Sequence, residues 1–279
     1  MTYRELCQFA TQQMSSAQIE NASVDAWLLL EAVCQINRSF FLVHGDEHVP
    51  CEQEDAYLDL LKKRCTHIPL QYLIGEQEFM GIPFKVTPDV LIPRQDTESL
   101  VEEALKYLKP GQKVLDMCTG SGCIAISLKS FVPEAEVTAV DVSEGALAVA
   151  KENSEKNELP VTLIHSDLFC QVSDKYDMIV SNPPYIPSAV IATLMPEVRD
   201  HEPMQALDGT EDGLYFYEKI TRDSILFLKE GGMLLYEIGH DQGQAVSEMM
   251  TAAGYVNVRV IQDLAGLDRV VVGRRKENV

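Results

Sequence analysis

From Lys113 onward the chain alternates short apolar runs with helical patterns, and this alternation constrains the fold more than any other feature. "KVLDM" (113–117), "EVTAVDV" (136–142), "VTLIHSD" (161–167), "YDMIVS" (176–181) and "GGMLLYEIG" (231–239) read as buried strands, with helical stretches at 121–131, 143–157, 212–229 and 241–253 among them. Parallel strands must be joined by long crossovers, so strands and helices in alternation demand a doubly wound parallel sheet. The C-terminal end breaks the rule. There "YVNVRVIQD" (255–263) and "RVVVGRR" (269–275) are separated only by "LAGL" (264–267), too short for a crossover, so a hairpin inserting one antiparallel strand is expected.

The first ~70 residues lack strand signals. "TYRELCQFATQQM" (2–14), "ASVDAWLLLEAVCQIN" (22–37) and "CEQEDAYLDLLKKRC" (51–65) place apolar residues three and four apart, the pattern of a small helical bundle over residues 1–70. "FMGIPFKVTPDVLIP" (79–93) is short, β-rich and broken by Gly and Pro, which marks 71–95 as a β-hairpin connector; a helix at 97–108 then opens a third segment, 96–279. The bundle carries no catalytic motif of its own, and substrate recognition is the role expected for it.

Charge excludes some partners. The net charge is −20, with 13 Asp/Glu against 6 Lys/Arg in residues 1–90 and 30 against 17 in residues 91–279. A protein that grips nucleic acid normally carries a basic patch, so direct nucleic-acid binding is disfavoured, and "KKR" (62–64) and "RRK" (274–276) read as solvated surface. The seven cysteines are scattered and never spaced C-x-x-C, the usage of a reducing compartment, so neither disulfides nor zinc are expected. No apolar run approaches a membrane span and no signal-peptide pattern follows Met1, which makes a cytoplasmic monomer the simplest expectation. His44 and His48 have i,i+4 spacing, but Gly45 argues against a helix holding both as metal ligands, and no metal is expected.

Two stretches carry the chemistry. In "VLDMCTGSGCIAISL" (114–128) a strand meets a Gly-containing turn and a helix start, where Gly120 and Gly122 let backbone approach a ligand and the helix N-terminus presents free N–H groups. Some twenty residues on, Asp141 ends the next strand, where a carboxylate can accept both hydroxyls of a ribose. Cys118 and Ala125 replace the first and third glycines of a pyrophosphate fingerprint, so S-adenosylmethionine, which has no pyrophosphate, suits the crevice better than a dinucleotide. Asp167 is placed for the adenine edge and Leu168 for its face. The second stretch, "SNPPYIP" (181–187), follows the strand "YDMIVS"; two adjacent prolines offer carbonyls and almost no donors. There the Asn182 side-chain oxygen and the Pro183 carbonyl can accept both hydrogens of one –NH2 group while Tyr185 lies against its planar carrier, a geometry that selects a planar amine or amide and needs no general base. Glu202 and Glu237 are therefore expected as supports.

"SNPPYI" is shared by many amino-methyltransferases. Together with "PLQYLIGEQEF" (69–79), "LIPRQDTE" (91–98), "LDMCTGSGCIA" (115–125), "EPMQALDGTEDGL" (202–214), "EIGHDQG" (237–243) and "DLAGLDRVVVGR" (263–274), it resembles the bacterial HemK/PrmC-type family that methylates the side-chain N5 of glutamine in peptide chain release factors. The resemblance implies a Rossmann-like S-adenosylmethionine-dependent methyltransferase sheet behind a small N-terminal helical bundle, and as substrate the glutamine of the release factor's Gly-Gly-Gln loop. It implies that Cys118, Thr119, Gly120, Ser121, Gly122, Asp141, Leu168 and Asn182 line the cofactor, beside the Asp167 placed above, and Asn182, Pro183, Pro184 and Tyr185 the glutamine. In the family's "IPR", Arg94 either closes over the site or forms an ordinary ion pair. Cys118 and Thr210 stand where the family usually has Gly, and Gln95 where Pro is common. An adenine-N6 nucleic-acid methyltransferase uses the same Asn-Pro-Pro-Tyr logic but is opposed by the charge; a non-catalytic dinucleotide-sensing module would leave the loop unexplained.

Overall fold

The computed structural model describes residues 1–277. These form two compact units, one built from Met1–Gly75 with Met195–His201 and the other from Glu76–Leu194 with the chain from Glu202 onward.

The first unit holds α1 (Tyr3–Ser16), α2 (Ala22–Cys34), α3 (Arg38–His44), α4 (Cys51–Arg64) and α5 (Leu70–Ile74). A capping box starts α1: the Thr2 hydroxyl accepts from the Glu5 amide and the Glu5 carboxylate accepts from the Thr2 amide. Leu6, Ala10 and Met14, one helical turn apart, are then fully buried with Trp27, Leu30 and Tyr57. The pattern over 22–37 resolves into a helix ending at Cys34, because Gln35 adopts the left-handed φ of 52° and Asn37 caps a new helix by accepting from the Phe40 amide. Since α3 stops at His44, His48 lies outside that helix. Arg64 is buried, and its guanidinium needs acceptors there: it donates to Asp25 at 2.7 Å, to Glu197 at 3.1 Å and to the Ile68 carbonyl at 3.2 Å. Glu197 belongs to the segment 195–201, which the sequence pattern left in the second domain; among the described residues it is part of the helical unit, tied in by this ion pair across 133 residues of chain.

The second unit opens with β1 (Glu76–Phe79) and β2 (Ile82–Lys85), an antiparallel hairpin whose two turn residues, Met80 and Gly81, both have positive φ as a type I′ turn requires. Then follow α6 (Gln95–Leu105), β3 (Lys113–Met117), α7 (Cys123–Phe131), β4 (Glu136–Asp141), α8 (Glu144–Lys156), β5 (Thr162–His165), β6 (Tyr176–Ser181) and α9 (Ser188–Ile191). After α10 (Pro196–His201), in the first unit, come α11 (Met204–Leu207), α12 (Tyr215–Phe227), β7 (Leu228–Glu237), α13 (Gly243–Ala252), β8 (Tyr255–Gln262) and β9 (Asp268–Arg275). The main sheet has the order β5-β4-β3-β6-β7-β9-β8, and β9 pairs antiparallel with both β7 and β8, the inserted strand expected from the short 264–267 link. Period-two alternation splits its core: Val114, Val180 and Leu235 face α6 and α7, while Leu115, Ile179 and Leu234 pack with Tyr217, Ile220 and Val246 of α12 and α13. One expectation is corrected. No residue of β5 is buried, because β5 is an edge strand and lacks a neighbour on one side. Among the described residues no single helix is long and apolar enough to cross a membrane.

Arg64→Ala leaves the buried Asp25 carboxylate without its partner and Glu197 with His67 alone, and should cost about 3–5 kcal/mol in chemical denaturation. Replacing Asp25, Arg64 and Glu197 together by apolar residues of similar size should recover most of that loss; a triple variant as unstable as Arg64→Ala would show that the guanidinium's packing, and not its charge, holds the unit.

Candidate active site

The loop after β3 is built on unusual backbone. Cys118, Gly120 and Gly122 have φ of 64°, 55° and 81°, and the Thr119 amide ties the turn to β4 by donating to the Val140 carbonyl at 2.9 Å. A Cβ on Gly120 would meet nothing within 4 Å, so conformation alone calls for glycine there; one on Gly122 would come to 3.1 Å from the Ile126 side chain and 3.2 Å from that of Ala150, so Gly122 serves the packing of α7 on α8. Cys118 holds its left-handed backbone without glycine's freedom, at a cost of about 1–2 kcal/mol. Beneath the loop Asp116 is completely buried; its Oδ2 accepts from the Thr119 hydroxyl at 2.5 Å and from the Ala125 amide at 3.2 Å, and its Oδ1 has no partner. Burial pushes its pKa up to about 7. Asp141 accepts the Gly120 amide on Oδ2 at 2.8 Å and the Ser143 amide on Oδ1 at 2.9 Å, so each oxygen is oriented and keeps a lone pair; burial raises its pKa while these N–H groups hold it back.

Asp141 and this loop border a cavity of about 390 Å³, an ordinary size for a small-molecule site. Of the residues expected at the site, Cys118, Thr119, Gly120, Ser121, Asp141, Asp167, Leu168, Asn182 and Pro184 line it, and Gly122, Pro183 and Tyr185 do not. Leu168 has a φ of 47°, held by the Ser166 hydroxyl, which donates to its carbonyl at 2.8 Å.

The Asn-Pro-Pro-Tyr loop is gripped from several sides. The Ser181 hydroxyl donates to the Met117 carbonyl at 2.7 Å, and the Asn182 Nδ2 donates to the Thr97 hydroxyl at 3.3 Å. The Tyr185 ring packs against the core with its hydroxyl 3.4 Å from Glu237 Oε1, and its carbonyl accepts from Gln242 Nε2 at 3.0 Å. A Cβ on Gly209 would sit 2.7 Å from the Tyr185 Cα and one on Gly213 2.2 Å from its carbonyl oxygen, so "LDGTEDG" can close on the loop only with glycines at those two points. Between them Thr210 has a φ of 74°, a strained state for a β-branched residue where a glycine would be at ease. Glu237 is buried with Oε2 unpartnered, and burial lifts its pKa to about 7 against the pull of Thr97 and Arg269. Arg94 lines the cavity and is paired with the buried Glu202, which is not the ordinary surface ion pair considered for it. Gln95 takes the first position of α6, the place where proline is tolerated. The sequence pattern does not single out Thr97, Asp116, Ser143, Tyr215, Phe216 or Gln242; Asp116, Thr97 and Gln242 sit inside quoted motifs, and nothing local marks the other three. Among the described residues no group of three His, Cys, Asp or Glu could hold a metal ion.

The native state binds a proton at Asp116 that the unfolded chain releases near pH 4, so this group's contribution to stability is lost as pH rises from about 4 to about 7. Asp116→Asn should accordingly gain stability relative to the wild type between pH 5 and pH 8, by up to about 4 kcal/mol. A melting-temperature difference that does not change across that range would show that Asp116 titrates normally.

Comparison with known proteins agrees with this geometry. A PrmC N-terminal domain model matches residues 5–75 and a methyltransferase small domain model residues 95–195. The release factor glutamine methyltransferase of Geobacter sulfurreducens is 42% identical over 274 residues, covering 98% of this chain and 96% of the relative. That of Moorella thermoacetica is 41% identical, covering 99% of this chain and all of the relative. A methyltransferase from Pyrococcus furiosus has the same fold, with a TM-score of 0.55 and 19% identity over 71% of this chain and 91% of that one. Through matches of this identity and length, the chain belongs to the release factor glutamine methyltransferase family.

Proposed function

We propose that the chain transfers a methyl group from S-adenosylmethionine to the side-chain amide nitrogen, N5, of the glutamine in the Gly-Gly-Gln loop of a peptide chain release factor. The observation that carries this is the single cavity bordered by Asp141 on one side and Asn182 on the other.

The residues present fit S-adenosylmethionine. Asp141 offers two oriented oxygens with free lone pairs to a pair of ribose hydroxyls, and no side chain stands where Gly120 faces the cavity. Asp167 supplies an acceptor for an exocyclic amine, with Leu168 beside it and Thr119 and Ser121 completing the loop. When bound there, S-adenosylmethionine supplies an electrophilic methyl group on a sulfonium. The protein's part is to bind and aim the amide. Asn182 Oδ1 accepts one of its hydrogens at the wall that Pro184 shares, Pro183 and Tyr185 stand behind that lining and hold the loop in shape, and the nitrogen lone pair is directed toward the methyl group. An amide nitrogen is a weak nucleophile, so positioning has to supply most of the acceleration, and effects of this kind reach about 7–11 kcal/mol. No side chain needs to remove a proton beforehand; the proton leaves the methylated amide afterwards. We place the enzyme in the cytoplasm as a monomer without direct nucleic-acid contacts, in keeping with its charge of −20.

Asn182→Ala deletes an acceptor aimed at the transferring group and should lower kcat by about 10²–10³ with little effect on unfolding. Asn182→Asp keeps the acceptor but adds charge, and should fall between the two. With cofactor and release factor saturating and methyl transfer rate-limiting, an Asn182→Ala enzyme within about threefold of wild type would sink the reading. Labelling of purified release factor and not of DNA oligonucleotides separates it from adenine-N6 methylation.

We further propose that the helical unit recognises the intact protein substrate, since a glutamine side chain alone offers little surface. A variant lacking residues 1–70 but folded in its methyltransferase unit should bind S-adenosylmethionine almost normally while kcat/KM for the intact release factor collapses. An unchanged kcat/KM would assign recognition to the catalytic unit.

A further inference from the structure

S-adenosylmethionine ends in an amino acid, and its carboxylate needs hydrogen-bond donors wherever the ribose and the methyl group are held. Resting on the functional reading above, we propose that Arg94 binds that carboxylate, its guanidinium held ready by the buried Glu202. This assigns a residue to the end of the cofactor that Asp141, Asp167 and Asn182 leave unserved.

The charge around the cavity carries the assignment. Asp89, Asp141 and Asp167 border it with carboxylates, whereas Arg94 is the only lysine, arginine or histidine among the described residues of its lining. A carboxylate entering such a site is repelled by the acids and drawn to the one cation. The methyl donor is itself a sulfonium, so an arginine in this wall is a cost unless anions offset it. Glu202 supplies one. Its side chain is 1% exposed and does not reach the lining, and its Oε1 accepts from Arg94 Nη2 across 108 residues of chain. A guanidinium has several N–H groups in a planar fork, and Glu202 takes only Nη2. Among the described residues Arg94 makes no other hydrogen bond, and its side chain is 39% exposed, so donors remain free in the cavity wall. The cofactor carboxylate is the second anion. Arg94 is also the N-cap residue of α6, with extended backbone and no side-chain capping bond, which fixes its root on a helix while leaving the guanidinium for Glu202 and the ligand. Because the ion pair already restricts the side chain, little rotamer freedom is lost when the ligand binds. A buried ion pair is weak support for a fold, and Glu202 keeps a second oxygen without a partner. Holding a cation at the cavity gives that acid a use that packing does not.

The test is calorimetric binding to the full-length protein of two ligands, S-adenosylhomocysteine and its decarboxylated analogue, which differ only in the carboxylate. Arg94→Met keeps the length of the side chain and removes the charge. It should weaken S-adenosylhomocysteine about 10- to 100-fold, the effect of losing charge-assisted hydrogen bonds. The decarboxylated analogue should bind the variant within about threefold of wild type or more tightly, since the loss belongs to one pair of groups. Arg94→Lys, a cation without the fork, should lie between wild type and Arg94→Met for S-adenosylhomocysteine. Equal losses for both ligands would show that Arg94 only shapes the cavity, and unchanged S-adenosylhomocysteine affinity would show that it does not meet the carboxylate; either overturns the proposal. So does an Arg94→Met enzyme that binds S-adenosylhomocysteine normally but has a raised KM for release factor, which would assign the guanidinium to the protein substrate. If Arg94→Met fails to fold because Glu202 is left buried and unpaired, Arg94→Met with Glu202→Gln removes both charges and should show the same selective loss. Wild type that labels release factor, with variants that lack the selectivity, rejects this proposal alone; wild type that binds neither S-adenosylmethionine nor S-adenosylhomocysteine rejects the functional reading with it.

Discussion

Everything at this site depends on where the parallel sheet reverses its winding. β3 pairs with β4 on one side and β6 on the other, and in register Met117 lies opposite Val140 and Ser181. The next residues in each strand direction, Cys118, Asp141 and Asn182, therefore emerge side by side at the carboxyl edge of the sheet. At this point the connections after β3 and β6 diverge, which leaves a crevice without any residue having to be removed from the core. A ribose-binding carboxylate and an amide-binding asparagine become neighbours through hydrogen-bond register alone, although they are 41 positions apart in the chain.

The surroundings of that crevice carry several costly features. Asp116, Glu202 and Glu237 each bury a carboxylate oxygen without a partner, and Cys118, Leu168 and Thr210 each hold a positive φ without being glycine. All six belong to the cavity, to the loop beneath it or to the segments that brace Asn-Pro-Pro-Tyr. Such groups destabilise a fold unless neighbouring structure over-determines them, and here the bracing is visible: Gly209 and Gly213 against Tyr185, Gln242 on the Tyr185 carbonyl, Arg94 on Glu202. Asp116 and Glu237 accept hydrogen bonds from the Thr119 and Tyr185 hydroxyls and so orient uncharged side chains around the crevice. Their raised pKa values then follow from burial and do not imply that they act as bases.

Much was legible before any coordinates. Strand and helix alternation, the short 264–267 link and the charge balance follow from local pattern, because a strand's period, a crossover's length and a sum of charges are properties of contiguous residues. Asp141 and Asn182 were legible for a related reason: in a doubly wound sheet, a polar residue directly after an apolar strand stands at the binding edge. What pattern could not supply were relations across the chain. That Gly122 serves helix packing, that Pro183 and Tyr185 stand outside the cavity lining, that β5 is an exposed edge and that 195–201 joins the helical unit through Glu197 are all decided by which distant residue comes alongside. Thr97 and Asn182 are the plainest instance. They lie 85 positions apart, with nothing in either segment to mark them as partners. A hydrogen bond is set by ångström-scale placement of two groups, and only the packed sheet and its helices fix that placement, whereas the hydrophobic period that selects the fold is written along the chain itself.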